Sequence, residues 1–223
     1  MNDTNIKKVT EELHNAFHAL NSSIFNNQLP EPAITIQSGG KRSTKGWFTN
    51  VPIWRNKEGD IKKYEINIAA EYLNIGYLET IHIILHQMIH LYCMVNQIKD
   101  TSRNGEYHNS RFKEICLKYG LYFKTNSPDK RKGWYATNLS DEVKSLTESF
   151  SIDRTVFTLA RDTYGNYKHE NDSELDEEHT LPKKKKSNSI KWICPVCGVS
   201  VRSTKEVNIM CGDCRETMEA EIE

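Results

Sequence analysis

The stretch "TIHIILHQMIHLYC", residues 80–93, constrains this chain more than any other. Its residues follow helical spacing, and the helix reads from about Asn74 to about Gln97. Ile83, Ile84, Met88, Ile89 and Leu91 leave little polar surface, so the helix has to pack into a core. Set among them are His82, His86 and His90, each one turn after the last. Residues four apart on a helix are stacked about 6 Å from each other. Two imidazoles at that spacing can share one tetrahedral zinc ion. Three cannot, because His82 and His90 are two turns, roughly 12 Å, apart. The pair is therefore His82/His86 or His86/His90.

The neighbouring residue chooses between them. In the H-E-x-x-H arrangement, the residue after the first histidine serves as general base to the water that the metal activates. After His82 that residue is Ile83, which has no polar group. After His86 it is Gln87, the amide isostere of glutamate. His86 and His90 are thus the expected ligands, with His82 a buried residue behind them. A catalytic-type zinc site needs a third protein ligand and an open position. "NGEYHNSRF" supplies His108 after a glycine-containing loop, with Glu106 and Glu114 as rivals. Imidazole is the commoner partner of two histidines, which favours His108.

The six cysteines divide unevenly. Cys93 and Cys116 stand alone in apolar helical contexts and read as core thiols. Cys194, Cys197, Cys211 and Cys214 form two C-x-x-C pairs in "WICPVCGVSVRSTKEVNIMCGDC". Each pair puts two thiolates on one ion, and four thiolates close a structural zinc site. The residues between alternate like a hairpin, so the module reads as a zinc ribbon that depends on its metal for folding. Lys191, Trp192, Arg202, Lys205 and Arg215 are its candidate nucleic-acid contacts, as phosphate partners and a base-stacking ring. The alternative is a structural or protein-docking ribbon.

Elsewhere the pattern is mixed α and β. Ile6, Val9, Leu13, Phe17, Leu20 and Ile24 mark one face of a first helix, which Pro30 and Pro32 follow. "AITIQS" (33–38), "GWFTN" (46–50) and "KYEINIA" (63–69) read as strands, with a turn at Gly59-Asp60. "HNSRFKEICLKYG" reads as a further helix closed by Gly120. "LYFKT" and "GWYATN" can pair, and Ser140 caps a helix over "SDEVKSLTESF". Residues 169–189 carry an acidic run and then Lys183 to Lys186, a composition that cannot bury apolar surface. They read as a disordered linker, its lysines solvated. The expected organisation is 1–168 (core about 5–125), linker 169–189 and ribbon 190–223.

Lys plus Arg equals Asp plus Glu at 30 each, so net charge gives no argument for a nucleic-acid partner. The N-terminus lacks an apolar run after a basic start, and no stretch approaches a membrane span. The expectation is a soluble cytoplasmic protein with two zinc ions, no membrane partner and no small-molecule cofactor.

"FNNQLPEPAITI", "GWFTN", "YEINIAAEYLN", "TIHIILHQMIHLYC" and "DTSRNGEYHNSRFKEICLKYGL", in that order, resemble the SprT-like family. These zinc metalloproteases include Spartan, the eukaryotic DNA–protein crosslink protease. The last two pieces are most similar to SprT-like proteins of Gram-positive bacteria and their mobile elements. The resemblance covers about residues 10–125 and the cysteine module. It implies a minimal zincin-type α+β fold, zinc held by His86, His90 and His108, and hydrolysis of peptide bonds in protein substrates, DNA-bound proteins among them. Gln87 departs from the family pattern, which has glutamate there. A carboxylate can take a proton from water, whereas a neutral amide can only hydrogen-bond it. Losing a positioned base removes roughly 10²–10⁴ in rate. The expectation is a zinc-loaded but nearly inert protein, natural pseudoenzyme or engineered dead variant. The alternative is a binding module for nucleic acid or a client protein.

Overall fold

The computed structural model describes residues 5–39, 44–162 and 190–221. The chain divides into two compact units, Met1–Lys168 and His169–Glu223. The linker expected at 169–189 lies outside the described residues.

In the first unit, helix α1 (Ile6–Phe25) starts at Asn5, whose side chain accepts from the Lys8 amide. It buries Val9, Leu13, Phe17 and Leu20 on one face. Asn26 and Asn27 end it in the left-handed conformation, which asparagine tolerates. Asn21 faces the core rather than solvent. Its amide donates to the Leu29 carbonyl at 3.0 Å and its carbonyl accepts from the Leu29 amide at 3.2 Å. This clip closes the turn that delivers strand β1 (Ala33–Gln37).

The central sheet has three strands in the order β1-β5-β2. Strand β5 (Glu65–Ala69) lies in the middle, buried throughout, parallel to β1 and antiparallel to β2 (Gly46–Phe48). Ile66 and Ile68 join the helical core. On the alternate face, Glu65 accepts from Trp54 at 2.7 Å and from Gln37 at 3.3 Å, while Asn67 donates to Thr35 at 2.6 Å. The single strand expected over 63–69 is in fact divided. Lys62–Lys63 (β4) pairs instead with Trp54–Arg55 (β3) as a hairpin, and the chain changes partner at Tyr64.

Helix α2 (Tyr77–Val95) then crosses the core, shorter at both ends than the periodicity suggests because Gly76, at φ +93°, sets its start. A two-stranded ribbon, β6 (Thr101–Ser102) and β7 (Tyr107–His108), leads into α3 (Ser110–Lys118). Asn109 caps α3, so His108 lies on a strand and not on the helix expected to begin there. Gly120, at φ +84°, follows the helix in the left-handed C′ position. β8 (Leu121–Phe123) pairs with β9 (Thr137–Leu139), and Ser140 caps α4 (Asp141–Glu148). A 3-10 turn at Arg154–Val156 completes the unit. Leu139, Val143, Val156 and Phe157 join the core, so it runs past residue 125.

The second unit is a three-stranded antiparallel sheet ordered β11-β10-β12, from Ser200–Ser203, Ile190–Ile193 and Glu219–Glu221. Across the described residues, no helix is long and apolar enough to cross a membrane.

Replacing Asn21 with leucine strands two buried backbone groups of Leu29 and is expected to cost about 2–3 kcal/mol. The urea midpoint of Asn21→Leu against wild type measures it, and an unchanged midpoint would remove the clip from the account of the fold.

Candidate metal centre

Helix α2 places His86 and His90 on one face, and the β6–β7 ribbon returns His108 over them. The turn needs three consecutive left-handed residues, Arg103, Asn104 and Gly105. Glycine at the third avoids the cost of a side chain there. The three rings converge with centroids 5.1 to 5.4 Å apart. Their ligand atoms all lie within 4.8 Å of one another. His90 Nε2 and His108 Nε2 are 3.2 Å apart. Two nitrogens on a tetrahedral zinc, with Zn–N bonds near 2.05 Å, are separated by about 3.3 Å.

The other nitrogen of each ring meets an oxygen. His90 Nδ1 donates to Asp100 Oδ2 at 2.5 Å, and His108 Nδ1 donates to the Lys132 carbonyl at 3.3 Å. His86 Nδ1 lies 3.0 Å from Thr137 Oγ1. The acceptor oxygens at Nδ1 leave Nε2 of His90 and His108 as the lone-pair atom, which is how metal-binding histidines are oriented. Phe112, fully buried, floors the cluster with its ring 4.6 to 5.0 Å from all three imidazoles and stacked on His90. Burial holds the pKa of His86 well below the ordinary histidine value, with His90 and His108 adding to the effect. Burial and the neighbouring His90 bring His108 down to about 4. These rings are neutral at pH 7, the state that binds metal.

Of the sequence-derived candidates, His86, His90 and His108 meet, while Glu106 and Glu114 are exposed outside the cluster. His82 lies behind it, with Nε2 2.8 Å from Thr137 Oγ1. Gln87 is buried beside β2. A methyl group on Gly46 would sit 2.8 Å from Ile83 Cγ2 and 3.7 Å from Gln87 Nε2, so glycine lets the strand lie against α2. Asp100, Phe112 and Thr137 were not singled out from sequence. Asp100 follows Lys99 in a polar loop, and nothing in its spacing marks a histidine partner.

A model of the SprT-like family matches residues 13–132, from within α1 to the loop that follows β8. The chain belongs to the SprT-like family. No curated protein and no solved structure matches it at a significant level. The matched segment of this SprT-like chain contains all three histidines and Asp100. It ends before Thr137.

The second cluster brings Cys194, Cys197, Cys211 and Cys214 within the same 4.8 Å. Cys197 Sγ and Cys211 Sγ are 3.7 Å apart, where Zn–S bonds near 2.3 Å require about 3.75 Å. The two C-x-x-C turns share one hydrogen-bond plan. Cys194 donates to the Val199 carbonyl and accepts from the Gly198 amide. Cys211 does the same with Glu216 and Arg215. Gly198 and Arg215 are both left-handed, at φ +73° and +56°. Backbone amides of Cys197 and Val196 lower the Cys194 thiol to about 7, while hydrogen bonding to Cys197 pushes Cys214 up to about 12. Without a counter-charge the four sulfurs cannot all ionise, and a divalent cation relieves that conflict. Both donor sets are compatible with zinc.

The proposed nucleic-acid contacts do not form one free basic surface. Lys191 pairs with Glu221 at 2.7 Å. Trp192 is half-buried against Cys194, Cys211 and Met218, and donates to Ser203 Oγ at 2.9 Å. Arg202 stands opposite Lys191 in register. Lys205 and Arg215 are exposed.

The lowered pKa values fix a pH response for the metal-free protein. When unfolded, His86 and His108 take protons below about 6.5. Folded, they resist protonation, His108 down to about 4. The unfolded chain therefore binds more protons as pH falls through that window, and stability falls with it. With chelator present, the urea midpoint is expected to drop between pH 7 and pH 5, and His108→Asn to flatten the slope.

Proposed function

We propose that this chain is a SprT-like zinc protein built on a peptidase framework whose proton-transfer position is disabled. The observation that carries the reading is the convergence of His86, His90 and His108, with Gln87 following His86 in α2. α1, the mixed sheet and the ligand-bearing α2 form the minimal zincin-type arrangement. His86, His90 and His108 would hold the zinc, and Asp100 would keep the His90 ring turned toward it. Bound zinc supplies a Lewis acid that polarises a peptide carbonyl and acidifies water. Gln87 can orient a water by hydrogen bonding but cannot take its proton. Peptide hydrolysis is therefore expected to be slow or absent. The substrate class is protein, DNA-bound protein included.

The same glutamine favours a second reading, a zinc scaffold that binds and does not cut. The cysteine ribbon would be its docking module. Lys205 and Arg215 remain available to a phosphate, while Val196 and Met210, at 68% and 66% exposure beside the cysteines, suit a protein client.

Native mass spectrometry tests the metal reading. Wild type is expected to carry two zinc ions and His86→Ala/His90→Ala one; a single ion in both proteins would sink the metallopeptidase assignment. Gln87→Glu is then expected to raise cleavage of unfolded protein, assayed with and without DNA, by roughly 10²–10⁴. No cleavage by the zinc-loaded variant would favour the binding scaffold.

A further inference from the structure

Straddling the end of the matched family segment, a strap spanning residues 129–139 crosses back over the histidine cluster. It is tied in place on both sides. Asp129 and Gly133 exchange backbone hydrogen bonds at 3.0 and 2.9 Å. His108 donates to the Lys132 carbonyl and accepts from the Trp134 amide, both at 3.0 Å. A side chain on Gly133 would come within 2.0 Å of the His108 carbonyl oxygen, and φ there is +67°, so only glycine lets the two backbones approach. Four residues on, β9 buries Thr137 between His82 and His86.

The Thr137 hydroxyl has one proton and two imidazole neighbours, at 2.8 and 3.0 Å. It can donate to one and must accept from the other. If it donated to His86 Nδ1, that ring would carry its own proton on Nε2 and could not ligate. If it donates to His82 Nε2, it accepts from His86 Nδ1, and His86 Nε2 faces the cluster as a lone pair. His82 then carries its proton on Nδ1, and Glu79 lies on that side, with its carboxylate 3.9 Å away. The charge at the far end and the ligand role at the near end select the same direction.

We infer that Thr137 is a positioning residue that presets the ligating tautomer of His86, with His82 as the acceptor that aims its hydroxyl. This rests on reading the histidine cluster as a metal site. It assigns a role to two residues that touch no metal, one of them outside the family segment. Partners of this kind are worth 10- to 100-fold in metal affinity by mutation.

The test uses the full-length protein. Zinc affinity of the histidine site is measured by competition with a chromophoric chelator, the cysteine site serving as internal control. Thr137→Val is expected to weaken the histidine site about 10- to 100-fold. Thr137→Ser should restore it to near wild type, and His82→Leu should weaken it too. An unchanged Thr137→Val affinity in a protein whose wild type binds two ions overturns the inference. The second readout is the imidazole nitrogen spectrum of the metal-free wild type, which is independent of zinc uptake and of whether a variant folds. His86 protonated on Nδ1 supports the preset, and protonation on Nε2 overturns it. If wild type fills only the cysteine site, the metal reading fails, and the tautomer spectrum still decides the hydrogen-bond direction.

Discussion

Three imidazoles with their Nε2 atoms turned inward make an arrangement that has to be held from outside. His86 and His108 are held neutral, all three rings are partly buried, and two of the nitrogens stand 3.2 Å apart, a separation that two lone pairs do not choose for themselves. The oxygens of Asp100, Lys132 and Thr137 behind the rings impose it, together with the Phe112 floor. Much of the first unit can be understood as the means of bringing those four supports to one place. α2 supplies the rigid pair, the left-handed turn at 103–105 folds His108 back, and β9 returns the last oxygen from the far side. The sheet is needed because α2 is too apolar to stand in water, and Gly46 lets β2 lie close against it.

The shared face of His86 and His90 was readable because helical spacing is a strict geometric code. Two histidines four apart face the same way whatever the remainder of the fold does. The cysteine pairs were readable for the same reason, since C-x-x-C is a local turn. His108 required a judgement about residue chemistry, favouring imidazole over Glu106 and Glu114. The supports behind the rings were hidden. Thr137 lies 51 residues from His86, and no local periodicity links a strand threonine to a helix five elements of structure earlier. Strand β5 was misjudged at its start for a similar reason. "KYEINIA" is continuous in β-propensity, but the choice of partner on either side of Tyr64 is tertiary.

The ribbon shows how little composition says about a binding surface. Lys191 and Trp192 look like a phosphate partner and a stacking ring, and in the fold Lys191 pairs with Glu221 while the Trp192 indole N–H donates to Ser203. In so small a module, side chains that might serve a ligand are also the ones available to serve the fold.

Gly120, at the end of α3, touches on the question of where this protein stops being divisible. A side chain there would strike Val143 Cγ2 on α4 at 2.2 Å, so a valine of α4 is packed onto the bare backbone of the residue at which a recognisable SprT-like segment is nearly complete. Leu139, Val143, Val156 and Phe157 fill the same core. The stretch by which kinship is detected and the stretch that can shut itself off from water are therefore different lengths. A fragment cut at the edge of the former would expose an unfinished interior, whatever its ligands.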